Sequence, residues 1–294
     1  MTDRIWVGGN SNGSVYDPNN WSPPAAPQPG DRLNIVDGSA SMKGGNLAGD
    51  ALEMGYSGGP SPGLPSSVAP VLNISGGASV SATALAVYVD DFPTINVSGR
   101  NTVNLAVSAP PLLGKSLGLT VNIDHGSISG SIQSYHAQIT IAGPGKFENV
   151  DSSLQIGNIT IDSDMIGTGS TSLAFAHLEL GGRVSSGQTF SLTTPGSSVT
   201  IDDPHKFHGT IVEAPNGFFA SDRVNLLGLH ADSYSLANDM LTLYAGHKVV
   251  DRLALQTTPA ATTAIGQGAS GVVIGLDGQL PAGVTSLPMH SGCT

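Results

Sequence analysis

Cysteine is all but missing from this chain: among 294 residues only Cys293 carries a thiol, so no disulfide can close within it. Packing and backbone hydrogen bonds must hold the fold instead, and the lone thiol reads as incidental. Charge is scarce as well, at 11% of residues where globular chains carry about 25%. The 22 acidic and 11 basic residues leave a net charge of −11 with no Lys/Arg stripe. That excludes a nucleic-acid partner, whose phosphates need clustered cations. No apolar run approaches membrane-span length, so no membrane insertion is expected. The opening residues, Met1 to Gly9, lack the apolar stretch of a secretory leader; export would use a removed leader or another route. Aromatics are 5% of the chain, and both tryptophans, Trp6 and Trp21, lie near its start.

What the chain does have is a repeated phrase: apolar, polar, apolar, then a small or acidic residue. It reads Leu72-Asn73-Ile74-Ser75, Ile95-Asn96-Val97-Ser98, Val121-Asn122-Ile123-Asp124, Ile139-Thr140-Ile141-Ala142, Ile159-Thr160-Ile161-Asp162, Leu178-Glu179-Leu180-Gly181, Val199-Thr200-Ile201-Asp202 and Val224-Asn225-Leu226-Leu227. The starts lie 23, 26, 18, 20, 19, 21 and 25 residues apart, a period that marks stacked repeats. Apolar residues two apart share one face of an extended strand. Between phrases, clusters such as Gly76-Gly77, Asp124-His125-Gly126 and Gly143-Pro144-Gly145 supply corners. Segments near Leu85 to Val89, Val103 to Val107 and Ile128 to Ile132 read as strands on the other sides of the same coils. The expected fold is all-β: a single-stranded right-handed parallel β-helix with distinct N- and C-terminal caps, in which each coil buries its inward residues only against its neighbours. An antiparallel sandwich or jelly roll is the alternative, since it also uses short alternating strands.

The chain divides, on this reading, into a cap and proline-rich lead-in over 1–70, coils over 71–230, and a cap or partner-binding strands over 231–294. The opening residues add a resemblance. Trp6-Val7-Gly8-Gly9, then Asp17-Pro18-Asn19-Asn20-Trp21-Ser22, then Pro27-Gln28-Pro29-Gly30-Asp31 resemble the start of β-helical passenger regions in bacterial adhesins and autotransporter-like proteins. Phe207 to Ile211, Asp222 to Leu229 and Leu241 to Tyr244 are similar to the closing portion of repeat-rich secreted proteins of Gram-negative bacteria. The resemblance implies a bacterial, extracellular, β-helical protein and names no ligand.

Chemistry-bearing patterns are few. Aligning the phrases puts Asp124, Ala142, Asp162, Gly181 and Asp202 at one corner, with carboxylates two coils apart, about 9.6 Å, too far to share one calcium ion. Calcium remains open only where Asp162 meets Asp164 or Asp202 meets Asp203. Asp90-Asp91 and Asp202-Asp203 are the carboxylate pairs a polysaccharide hydrolase or lyase would need, yet neighbours on a strand point to opposite faces. Gly55-Tyr56-Ser57-Gly58-Gly59 spells a nucleophile elbow, but prolines follow where a helix is required. Gly114-Lys115-Ser116 lacks the first glycine of a phosphate loop. His205 and His208 sit in a turn, not on a helix. Trp6 and Trp21 read as a lid over the first coil or, more sharply, as glycan contacts. The outward Asn73, Asn96, Asn122, Thr140, Thr160, Glu179, Thr200 and Asn225 would form a polar ladder. No catalytic residue, cofactor or metal is assigned. The expected role is an extracellular structural or adhesive protein that self-associates head to tail through strand edges, with cell-surface glycans as further candidate partners and a polysaccharide-binding or -degrading protein as the alternative.

Overall fold

The computed structural model describes residues 2–9, 12–28, 30–35, 38–48, 51–54, 69–81, 85–87, 93–103, 105–108, 117–213, 221–257 and 263–290. Strands dominate, and helical structure among the described residues is limited to two single 3-10 turns, Pro18–Asn20 and Pro204–Lys206. The chain forms two compact units, Met1–Asp151 and Ser152–Thr294.

In the first unit most strands fall into three parallel ladders, while Trp21–Ser22 lies antiparallel on Asp3–Trp6 and Leu105–Ser108 parallel on Ile132–Tyr135. The first joins Asp3–Trp6, Arg32–Ile35, Ala51–Met54 and Leu85–Val87, with Arg4, Leu33, Leu52 and Leu85 in register. The second carries Ser39–Lys43, Val71–Ser75, the first half of Thr94–Val103, the first half of Leu117–Gly130, and Ala137–Ala142; Ala40, Leu72, Ile95, Val121 and Ile141 share one row. The third joins Asn46–Ala48 and Ser79–Ser81 to the later half of Thr94–Val103, and the later half of Leu117–Gly130 to Lys146–Asn149. Successive strands visit the ladders in turn: Arg32–Ile35, Ser39–Lys43 and Asn46–Ala48, then back to the first with Ala51–Met54. Pairing of strands that run the same way and lie 19 residues apart, as Leu33 and Leu52 do, is not the hairpin pairing of a sandwich. The architecture is therefore all-β and mostly parallel, compatible with a β-helix or solenoid.

Alternation explains the core. Leu33, Ile35, Ala40, Met42, Leu72, Ile74, Ile95, Val97, Val121, Ile123, Ile139 and Ile141 are all buried, each large side chain contributing about 1.5–3 kcal/mol of transfer free energy. The phrases pair as their spelling suggests at Leu72 with Ile95 and at Ile95 with Val121. One expectation is corrected: Val121 pairs with Ile141, not Ile139, and Leu119 takes Ile139. A slip of two keeps every side chain on its face, so the apolar pattern cannot distinguish the two registers. It moves Ala142 beside Asn122, out of the corner row assigned to it with Asp124.

The corner between the second and third ladders shows how one inserted residue is absorbed. Ser98 pairs with Asp124 but Gly99 with Gly126, leaving His125 as the bulged residue at φ 45°. A Cβ on Gly126 would collide with the backbone of Gly99 one rung below, so this stacked corner admits only glycine.

The second unit repeats the parallel plan. Thr171, Phe190 and Ile211 share a row, as do Leu178, Val199 and Val224, and single parallel bridges join Met165, Val184 and Phe207. Phe190 and Phe207 touch inside, ring centroids 5.6 Å apart. Beyond Leu227 the pairing turns antiparallel. Arg223–Leu227 takes Gly271–Gly275, which takes Ala264–Gln267. A meander of Ser233–Ala237, Met240–Ala245 and Lys248–Gln256 returns to lie parallel on Thr210–Glu213.

Candidate functional site

The most regular outer surface of the first unit is the solvent side of the second ladder. Its rows read Thr94, Thr120, Thr140 and Asn73, Asn96, Asn122. The first three members of the expected polar ladder are there as a chain of amides, while the two-residue slip moves Thr140 from beside Asn122 to beside Thr120: Asn122 Nδ2 donates to Asn96 Oδ1 at 2.9 Å, Asn96 Nδ2 to Asn73 Oδ1 at 2.8 Å, and Asn73 Nδ2 to Asn12 Oδ1 at 2.8 Å. Rung spacing of about 4.8 Å suits an amide reaching its neighbour above. Asn12 was not foreseen, because it stands in a loop outside any phrase. In the second unit the same position gives a shorter piece, Asn225 Nδ2 to Thr200 Oγ1 at 3.1 Å. Lys43 and Asp124 are the charged residues at the margin of the first unit's face.

The two tryptophans meet edge to face, ring centroids 5.2 Å apart at 80°, and are 2% and 1% exposed. Trp21 Nε1 donates to the Val15 carbonyl at 2.8 Å, so its polar edge is satisfied as well as its rings buried. In this packing neither presents a ring face on which a sugar could stack. Beside them lies an ion pair that the sequence reading missed. The Arg4 guanidinium donates through Nε to the Asp31 carboxylate and through Nη1 to the Pro23 carbonyl, and Asp31 accepts also from the Gln28 N–H. Both side chains are buried, and the Arg4 hydrogen bond holds the Asp31 carboxyl below the ordinary carboxylate range. Arg4 and Asp31 lie 27 residues apart with no shared motif, so only the pairing of the first two rungs reveals them.

The remaining candidates are dispersed. Burial first, and the charge of Asp162 second, push the Asp202 carboxyl up; Gly181 stands beside Asp162 because a Cβ there would meet the carboxylate oxygen at 2.6 Å. Asp203 turns to Lys206, 3.0 Å away, which holds it below the usual range. Asp164 accepts from the Arg183 N–H. Asp202 and Asp203 thus face different surroundings and do not form a carboxylate pair across a cleft. His205 lies in the 3-10 turn as expected, 3.7 Å from Asp251, and burial pushes the Asp251 carboxyl up. Among the described residues no group of three or more His, Cys, Asp or Glu is placed to hold a metal ion. A small cleft of about 150 Å³ is lined by Ser221, Asp222, Arg223, Asp277, Gln279 and Leu280, but Asp277 is engaged by the N–H groups of Ser221 and Gln279. Asp90-Asp91, the Gly55 to Gly59 and Gly114 to Ser116 motifs and Cys293 lie outside the described residues.

What fold and surface define is a class: an all-β chain of mostly parallel rungs whose first unit carries an amide-rich outer face. No helix among the described residues is long and apolar enough to cross a membrane. No family model, no curated protein and no solved structure matches the chain.

Proposed function

We propose that this is an extracellular structural or adhesive protein of a bacterial surface or matrix, wound as a single-stranded right-handed parallel β-helix. The observation that carries the reading is the hydrogen-bonded column of Asn12, Asn73, Asn96 and Asn122 on a parallel ladder. A stacked amide column makes a stiff, uncharged surface and commits its polar groups to the scaffold rather than to chemistry. The low charge and the dispersal of carboxylates and histidines accord with a mechanical role. The adhesin-like opening, Trp6 to Asp31, supports the same reading by resemblance.

Self-association is the second part of the reading. Exposed strand edges at the ends of a ladder invite another chain. In the second unit the last parallel strands are covered, Arg223–Leu227 by Gly271–Gly275 and Thr210–Glu213 by Lys248–Gln256. Head-to-tail joining at this end therefore runs through the covering strands and not through bare rungs. Electron microscopy of the purified protein tests the proposal: filaments or ordered oligomers support a scaffold, and persistent monomers with binding on a glycan array support a lectin-like adhesin. Release of reducing ends or unsaturated products from polysaccharides, abolished by Asp202→Asn or Asp203→Asn, would replace both with the enzymatic alternative.

A further inference from the structure

The antiparallel part of the second unit is joined by one short segment. Ala264–Gln267 belongs to the sheet that covers Arg223–Leu227, and Ser233–Ala237 to the meander that covers Thr210–Glu213. Residues 284–290 run between them. On one side Thr285 and Ser286 pair antiparallel with Gln267 and Gly266, and the Leu287 N–H donates to the Ile265 carbonyl at 2.8 Å. On the other, Met289 bridges Tyr234 in parallel: the Tyr234 N–H donates to the Pro288 carbonyl at 3.1 Å, and the His290 N–H to the Tyr234 carbonyl at 2.6 Å. The segment closes the two edges in succession, the first through residues 285–287 and the second through residues 288–290, and without it both lie open.

Its hold is light. Leu287, 8% exposed, is its one fully buried apolar side chain and Val284 packs half-buried against Gly266, while Met289 is 72% exposed and Thr285 and Ser286 face solvent. The His290 ring stacks on Tyr244, centroids 4.1 Å apart, and its Nδ1 lies 3.2 Å from Ser233 Oγ. The connection to the preceding strand is a turn closed by the Val284 N–H on the Pro281 carbonyl, with Gly283 at φ 83°. A tight turn before a lightly held strand is a hinge that can open.

We propose that residues 284–290 are an exchangeable strand, and that the slot between Ile265 and Tyr234 accepts the same segment from a second copy of this chain. Insertion in trans repeats every contact made in cis, so the occupant is specified by the strand seated there now; only the hinge and the concentration of copies decide between the two. The inference rests on the self-association part of the proposed function and supplies its mechanism.

The test uses Leu287→Asp, which removes the strand's anchor and leaves the slot empty. A labelled peptide of residues 284–290 should bind this variant saturably and at least tenfold more tightly than it binds the wild type, whose slot is filled. The same peptide carrying the Leu287→Asp change should not bind. Light scattering at rising concentration should show wild-type oligomers that the variant alone does not form. A folded variant that takes no peptide overturns the exchange, as do wild-type oligomers that persist in Leu287→Asp; the latter would leave the scaffold reading intact. Wild type that stays monomeric while the variant binds peptide also overturns exchange between copies. Should Leu287→Asp not fold, hydrogen exchange on the wild type decides. The Leu287 and His290 amides should exchange at least tenfold faster than those of Met240–Ala245, and equal rates would refute a lightly held strand.

Discussion

The opening of the first unit and the close of the second solve one problem with different shares of side chain and backbone. Where Asp3–Trp6 begins the first ladder, the two-residue strand Trp21–Ser22 lies antiparallel along its other edge, and the neighbouring interior is filled by side chains: Trp6 against Trp21, with Arg4 on Asp31. Where Thr210–Glu213 and Arg223–Leu227 end the repeated rungs, backbone does most of the covering, Lys248–Gln256 lying parallel on the first and Gly271–Gly275 antiparallel on the second. A side-chain plug is local and stays put once packed. A covering sheet leaves edges of its own, and the strand that fills the last edge has a single fully buried apolar anchor. The contrast teaches that stability and exchangeability are assigned to different regions, and substitutions can break or sharpen it.

The largest effect should come from Trp21→Ala, which empties the plug and strands the Val15 carbonyl; thermal or denaturant melts should lose about 3–5 kcal/mol. Arg4→Ala follows, leaving the Asp31 carboxylate buried without its cation, at a cost of about 3 kcal/mol. Because the Asp31 carboxyl lies below its ordinary value, its contribution is present above the unfolded carboxylate pKa and is lost as pH falls through the depressed one. Acid melts of the wild type should therefore show a loss, beginning below about pH 4, that Arg4→Ala lacks.

Leu287→Ala should cost less, about 2 kcal/mol, and should accelerate exchange of the amides at Leu287 and His290 without touching those beside Trp21. Equal acceleration in both places would erase the contrast. Asn96→Ala removes the middle of the amide column and its two side-chain hydrogen bonds; at a half-exposed site this is worth about 1 kcal/mol. Asp202→Asn should have the smallest effect and the opposite sign. A carboxyl pushed up by burial and by Asp162 favours the folded state while protonated, and that advantage disappears as pH rises through the raised value. The amide should therefore raise the melting temperature slightly at neutral pH and leave it unchanged in acid.

The plug is the more legible of the two regions in the sequence. Trp6, Trp21 and the Pro27 to Asp31 lead-in are rare residue types, and their reading as a lid needs only composition. The ladder is legible too: Leu72, Ile95 and Val121 share a row as the repeated phrase suggests, and Asn73, Asn96 and Asn122 stack as an outward polar column. Its limits are those of a two-residue period, which cannot separate Val121 on Ile139 from Val121 on Ile141. The Arg4–Asp31 pair was hidden because it depends on which rungs adjoin. The covering strands were the least visible. The antiparallel direction in which Gly271–Gly275 pairs is set by tertiary contacts, and Leu287 sits between Thr, Ser and Pro without any alternating pattern.

Disulfide mapping along one ladder tests the central claim, parallel stacked rungs, most directly. With Cys293→Ser as background, cysteine pairs at Thr94 with Thr120 and at Ser98 with Asp124 should each oxidise readily, since registered partners on adjacent strands lie within disulfide reach. Thr94 with Asp124 and Ser98 with Thr120 should remain reduced. The reverse outcome, bonds in the crossed pairs and none in the straight ones, would mean antiparallel strands and would contradict the account.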